Sequence, residues 1–158
     1  MRLTRLTALI IALAPAPAFA GPAENEAIVR RGIEQMLGQG RFEIADQVFH
    51  PDYVYHGDDR DYALADTLAN MRDLRTAFPD LRARVDRAVA TGDLVAFHWS
   101  GVGTNRARAQ GFPGNGRRVR LSGMAFARFR DGRIVEEWSV TDSLFIVRQL
   151  GFTITPPR

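Results

Sequence analysis

The chain has no cysteine, no lysine and only three histidines. Without Cys there is no disulfide, no thiolate nucleophile and no thiolate metal site. Without Lys there is no Schiff-base chemistry. His50, His56 and His98 lack the short spacings of zinc motifs, so nothing points to a metal. All 21 basic residues are arginine. They fall in short clusters, Arg82/Arg84/Arg87 and Arg117/Arg118/Arg120, and not in the stripe that a nucleic-acid surface needs. The chain also lacks an apolar run of about 20 residues, the length that spans a bilayer.

What is present begins with the pattern of an export signal. Arg2 and Arg5 form a basic start, Leu6 to Ala14 an apolar run, and Ala18-Phe19-Ala20 a small-x-small cleavage site. This pattern predicts cleavage after Ala20, a mature chain from Gly21, and a periplasmic or secreted protein with no stable membrane insertion. Losing Arg2 and Arg5 takes the formal charge from +3 to +1. Residues 21–158 fit one domain, long enough to bury a real core.

Ala27, Ile28, Ile33, Met36 and Leu37 give Glu24 to Leu37 the spacing of an amphipathic helix, ended by Gly38 and Gly40. A short helix over Phe42 to Phe49 stops at His50-Pro51, and Asp52 to His56 is a brief strand. Leu64, Leu68, Met71, Leu74 and Phe78 mark a second long helix over Tyr62 to Phe78, closed by Pro79. From Leu81 the period drops to two. A strand through Val85 to Val89, the Thr91-Gly92-Asp93 turn and a strand over Leu94 to Thr104 follow. A Gly- and Arg-rich loop covers Asn105 to Gly116. Val119 to Arg130 and Ile134 to Thr141 are the last strands, and Ser143 to Leu150 a closing helical turn. Helices followed by a meander of antiparallel strands predict an α+β domain.

Glu136, Trp138 and Asp142 share one face of the last strand, because the strand period is two. A carboxylate beside an indole in an apolar cavity is a candidate general acid/base. Asp142 is equally suited to cap the segment after it. The Asp131-Gly132 turn leaves the pairing of the two strands open. If Arg130 pairs with Arg133, Asp142 shares a face with odd-numbered residues of the preceding strand. If Phe129 pairs with Arg133, Arg128, Phe126 and Met124 join the face of Glu136, Trp138 and Asp142. The odd set Val119, Leu121, Ala125, Ala127 and Phe129 is apolar enough to call for a dimer if it faces outward.

The order of the motifs resembles the SnoaL-like polyketide cyclase (ester cyclase) family of the nuclear-transport-factor-2-like superfamily. The resemblance rests on Pro51 to His56, Ala77 to Leu81, Gly92 to Trp99, Gly101 to Thr104, Gly114 to Val119 and Arg128 to Gly151. It implies a cone-shaped, curved antiparallel sheet wrapped by helices around an apolar pocket. It also implies an acid/base Asp near the end of the last strand, at Asp142, driving an aldol ring closure without metal or cofactor. The place of the family's assisting His is Arg128 here, and the residue after Gly103-Thr104 is Asn105. On this reading Asp142, His98 and Arg128 are the catalytic set. His56, Tyr53, Phe78, Trp138 and Glu136 are the expected substrate contacts, and Trp138 and Asp142 are expected to line the cavity. The expected protein is an exported homodimer acting on a small apolar carbonyl compound. The alternative is an exported protein that binds an apolar molecule and does no chemistry.

Overall fold

The computed structural model describes residues 21–153 and 155, so the expected leader, residues 1–20, lies outside the described residues. Helix α1 (Pro22–Arg31) continues through a π-helical turn, Gly32–Leu37, which buries Met36 and Leu37. A 3-10 turn, Phe42–Ile44, and α2 (Ala45–Val48) lead into strand β1 (Phe49–His56). Then come β2 (Asp61–Ala63), α3 (Leu64–Ala77), β3 (Arg82–Thr91) and β4 (Leu94–Thr104). The chain ends with β5 (Arg108–Ala109), β6 (Phe112–Pro113), β7 (Arg118–Arg130), β8 (Arg133–Thr141) and α4 (Ser143–Gln149). Among the described residues no helix is long and apolar enough to cross a membrane.

Six strands form one open, curved sheet in the order β2-β1-β8-β7-β4-β3, with the helices on one face. The sheet is mixed, because β1 runs parallel to β8 and every other pair is antiparallel. The expectation of a wholly antiparallel sheet missed this pair because the contact of Val54, Tyr55 and His56 with β8 is a tertiary event between strands far apart in the chain, which strand periodicity does not announce. Pairing of β1 with β8 lapses between Phe49 and Val54, around Pro51, which has no N–H to give to a ladder. The expected loop over 105–116 contains the small β5–β6 hairpin. Gln110 (φ 49°) and Gly111 (φ 75°) both have positive φ at its tip, as a two-residue primed turn requires.

The β7–β8 hairpin combines features of both registers. Asp131 and Gly132 are both left-handed (φ 51° and 69°), and Arg130 pairs with Arg133 across a two-residue turn. A bulge then leaves Val135 unpaired, so Arg128 lies opposite Glu136, Phe126 opposite Trp138 and Met124 opposite Val140. These even-numbered residues share one face, and it is the outer one: Met124 is 64% exposed and Val140 73%. Val119, Leu121, Ala125, Ala127 and Phe129 are buried against the helices. They form the inner face, so the condition under which this set would need a partner to cover it is not met. Burying five apolar side chains outweighs the exposure of Met124 and Phe126 on a face otherwise carrying Arg118, Arg120, Ser122, Arg128 and Arg130.

Candidate active site

The inner face of the sheet and the helices enclose a cavity of about 380 Å³, within the usual range for small-molecule sites. Helix α1 and its π-helical extension, α3 and α4 supply one side, with Val29, Ile33, Met71, Leu74 and Ile146. Strands β4 and β7 supply Phe97, Trp99 and Leu121, and the β5–β6 hairpin supplies Gln110 and Phe112. Gln110 donates to the Asn70 carbonyl of α3 at 2.7 Å, tying that hairpin over the opening. Small residues make the room: Ala127 lies opposite Glu137, Ala125 opposite Ser139 and Gly123 opposite Thr141. At Gly123 a Cβ would sit 2.7 Å from Nε1 of Trp99, so glycine is what lets the indole lie across this strand.

Among the described residues one carboxyl side chain reaches this cavity. Glu137, on β8, is half-buried in its wall, and burial pushes its carboxyl up to about 7. Tyr53 on β1, itself buried, partly offsets the rise by donating from its hydroxyl to Glu137 Oε2 at 3.1 Å. The Tyr53 phenol is pushed well above the usual tyrosine range, by burial first and by the Glu137 charge second. Tyr55, paired with Glu137 across the parallel ladder, also lines the cavity. Its hydroxyl accepts from Ser139 Oγ at 3.2 Å. The Tyr55 proton has only the Ser139 carbonyl, at 3.4 Å, as acceptor. A base poised near neutrality and a hydroxyl donor held only by one long bond therefore stand on one wall of an otherwise apolar cavity.

The residues expected from sequence lie elsewhere. Asp142 ends β8 exposed, and its Oδ1 accepts from the Phe145 amide at 3.0 Å as the N-cap of α4. Its neighbours Thr141 and Ser143 line the cavity and it does not. Trp138 is on the outer face, stacked on His56 with ring centroids 4.6 Å apart. His56 Nδ1 is 2.9 Å from Asp61, and its Nε2 is 3.5 Å from Glu136. Arg128 pairs with Glu136 at 2.8 Å and with Asp93 at 3.2 Å, on the same outer face. His98 stands 3.2 Å from Asp86 on that face. Phe78 is fully buried behind the cavity, edge-on to Phe112 at 5.2 Å. Of the expected residues, Tyr53 touches the site through Glu137 and Phe78 backs its wall through Phe112. The geometry expected for Trp138 and Asp142, lining the cavity with His98 or Arg128 in reach, is therefore corrected. Parity joins them to the outer face, and the apolar odd-numbered stripe of β7 takes the inner one.

A family model for the SnoaL-like polyketide cyclases matches residues 27–150. The chain belongs to the SnoaL-like polyketide cyclase family. IdmH, a candidate polyketide cyclase from Streptomyces antibioticus, is 30% identical with a TM-score of 0.69, over 83% of this chain and 99% of its own. AclR, a candidate hydroxylase from Streptomyces galilaeus, is 27% identical with a TM-score of 0.75, over 83% of this chain and 98% of its own. A candidate polyketide cyclase from Acidithiobacillus ferrooxidans is 27% identical with a TM-score of 0.69, over 80% of this chain and 94% of its own. No curated protein sequence matches the chain. Membership of a SnoaL-like family fits cofactor-free cyclase- or isomerase-type chemistry on a small apolar molecule.

Glu137 escaped sequence reasoning because Glu136 and Glu137 are adjacent and point to opposite faces. The inward odd-numbered stripe of β7 places inside whichever residue lies opposite Ala127, and the bulge at Val135 makes that residue Glu137 and not Glu136.

Proposed function

We propose that the cavity is an active site in which Glu137 moves a proton at a carbon beside a carbonyl group of a small apolar compound. The observation that carries this is a carboxyl pushed up to about 7 in an apolar cavity, the poise a general base needs near neutral pH. In an aldol-type closure the Glu137 carboxylate takes the proton from the α-carbon. The resulting enolate carbon bonds to a second carbonyl carbon of the same molecule. Protonated Glu137 then returns the proton to the new alkoxide oxygen. Tyr55, whose proton is held only by the Ser139 carbonyl at 3.4 Å, exchanges that long bond for one to the enolate oxygen as charge develops there. The family's cyclases support this reading, and isomerisation uses the same two groups. It is tested by deuterium exchange at the α-carbon of β-tetralone in heavy water. Exchange should exceed the buffer rate, rise with pH and level off above about 7. Exchange no faster than buffer would remove catalysis. It would favour the second reading, an exported binding protein for an apolar molecule, which the signal-like first 20 residues support.

We further propose export and a homodimer. For export, N-terminal sequencing of protein expressed in a bacterium should read from Gly21; a retained Met1 would contradict it. For the dimer, the support is the outer face. Val89, Met124, Phe126 and Val140 are each more than half exposed there, a patch that a monomer rarely leaves bare. Sedimentation at micromolar concentration should give a dimer, and Phe126→Glu a monomer. A monomeric parent chain would rule it out.

A further inference from the structure

The charge distribution around the cavity is one-sided. The chain carries 21 arginines and three histidines, and among the described residues none of them lines the cavity. Glu137 is the one carboxylate that does. Its only side-chain hydrogen bond is the one from Tyr53, to Oε2, which leaves Oε1 without a donor. Around it stand the rings of Phe49, Tyr55, Phe97, Trp99 and Phe112. Among the described residues no other charged side chain faces Glu137. Strand β1 presents the Tyr53 and Tyr55 phenols, β8 the Ser139 hydroxyl, and α3 Thr67 and Asn70.

We infer that Glu137 makes the cavity a charge filter, which admits apolar ligands in uncharged or cationic form and rejects their carboxylates. The inference concerns the cavity of the proposed reaction but not the proton transfer itself. A ligand carboxylate would lose its water with no cation to receive it. It would also lie in a low-dielectric space beside a like charge, where repulsion is poorly screened. A ligand ammonium meets the reverse: the unpaired Oε1 and the negative faces of aromatic rings both favour it. A neutral ketone is indifferent to the filter.

Titration follows from the same geometry. A carboxylate ligand can enter only when Glu137 carries a proton, so its affinity falls about tenfold for each pH unit above 7. An ammonium gains affinity as pH rises toward 7, displacing that proton on binding, and levels off above it. The neutral ligand shows neither trend.

Three ligands sharing one ring system test this by calorimetry: β-naphthoate, β-naphthyl methyl ketone and β-naphthylmethylammonium. With the mature chain at pH 8, the ketone and the ammonium should bind, and the carboxylate at least tenfold more weakly than the ketone. In Glu137→Gln the carboxylate should come within threefold of the ketone. The ammonium should lose at least tenfold, and the pH trends should vanish. Unchanged ketone affinity in the variant reports an intact cavity. A carboxylate that binds as tightly as the ketone to the parent chain overturns the filter. So does an order of affinities that Glu137→Gln leaves unchanged, and so does failure of all three to bind the folded protein. The outcome is separable from that of the deuterium-exchange assay. A variant that still exchanges β-tetralone but has lost the charge order keeps the filter and removes the base. A variant that no longer exchanges but keeps the order does the opposite.

Discussion

Glu137→Gln is expected to slow α-proton exchange of β-tetralone by about a hundred- to ten-thousandfold, the span a positioned general base contributes. The amide has the size of the carboxyl and can still accept from the Tyr53 hydroxyl, so the fold should stand. It cannot take a proton at any working pH. The variant should also be the more stable protein above neutrality. Burial raises the Glu137 carboxyl from 4.5 to about 7, so the folded state holds its proton more tightly than the unfolded state does. The stabilisation this gives is complete below about 4.5 and is lost as pH rises through about 7. For a half-buried group it amounts to on the order of 2 kcal/mol. Melting curves should show the variant gaining on the parent chain between these pH values and keeping its advantage above them. Full exchange activity in the folded variant would remove Glu137 from the chemistry.

Asn105→Ala is expected to cost about 3 kcal/mol of stability, or a melting point lower by about 10 °C. Asn105 is fully buried between β4 and the loop before β7. Its Nδ2 donates to the carbonyls of Ala77 and Ala107, both at 3.2 Å. Its Oδ1 accepts from the Gly114 amide at 2.7 Å. Alanine removes these three bonds and a longer one of 3.4 Å from the Asn115 amide, and it leaves the half-buried Gly114 amide without its acceptor, where an unmade hydrogen bond costs more than a made one returns. The same bonds tie the end of α3 to the segment that holds Gln110 and Phe112 over the cavity. Affinity for β-naphthyl methyl ketone should therefore fall as well. Denaturant unfolding checks the first effect and calorimetry the second; a loss below 1 kcal/mol would show that water replaces the side chain.

Much of the fold was legible because its elements carry strong periods. The stripe Leu64, Leu68, Met71 and Leu74 fixed α3, and strict alternation fixed β4 and β7. The ends were less legible. Asp61–Ala63 forms an edge strand where helical spacing was expected to begin, because pairing with Val54 to His56 is a tertiary event. The site was less legible than the fold for one reason: a one-residue bulge. Val135 is the extra residue in β8, and it sets Glu137 opposite Ala127. No local preference of Ile134-Val135-Glu136 announces that bulge. The dual reading of Asp142 narrowed to the cap, since the side chain bonds the Phe145 amide. The outer-face network of His56, Glu136 and Arg128 has the residue types of a catalytic set, but it faces away from the cavity.

The proposed base and the cavity that makes it one both depend on the protonation state of one carboxyl in the ligand-free protein, where no substrate need be known. Carbon-13 labelling of the glutamate side chains, with Glu137→Gln to assign the signal, allows the Glu137 carboxyl to be titrated by NMR. The expected midpoint lies near 7. A midpoint near 4.5, the ordinary value for the group, would mean a hydrated carboxylate and would contradict both the base and the cavity that makes it one.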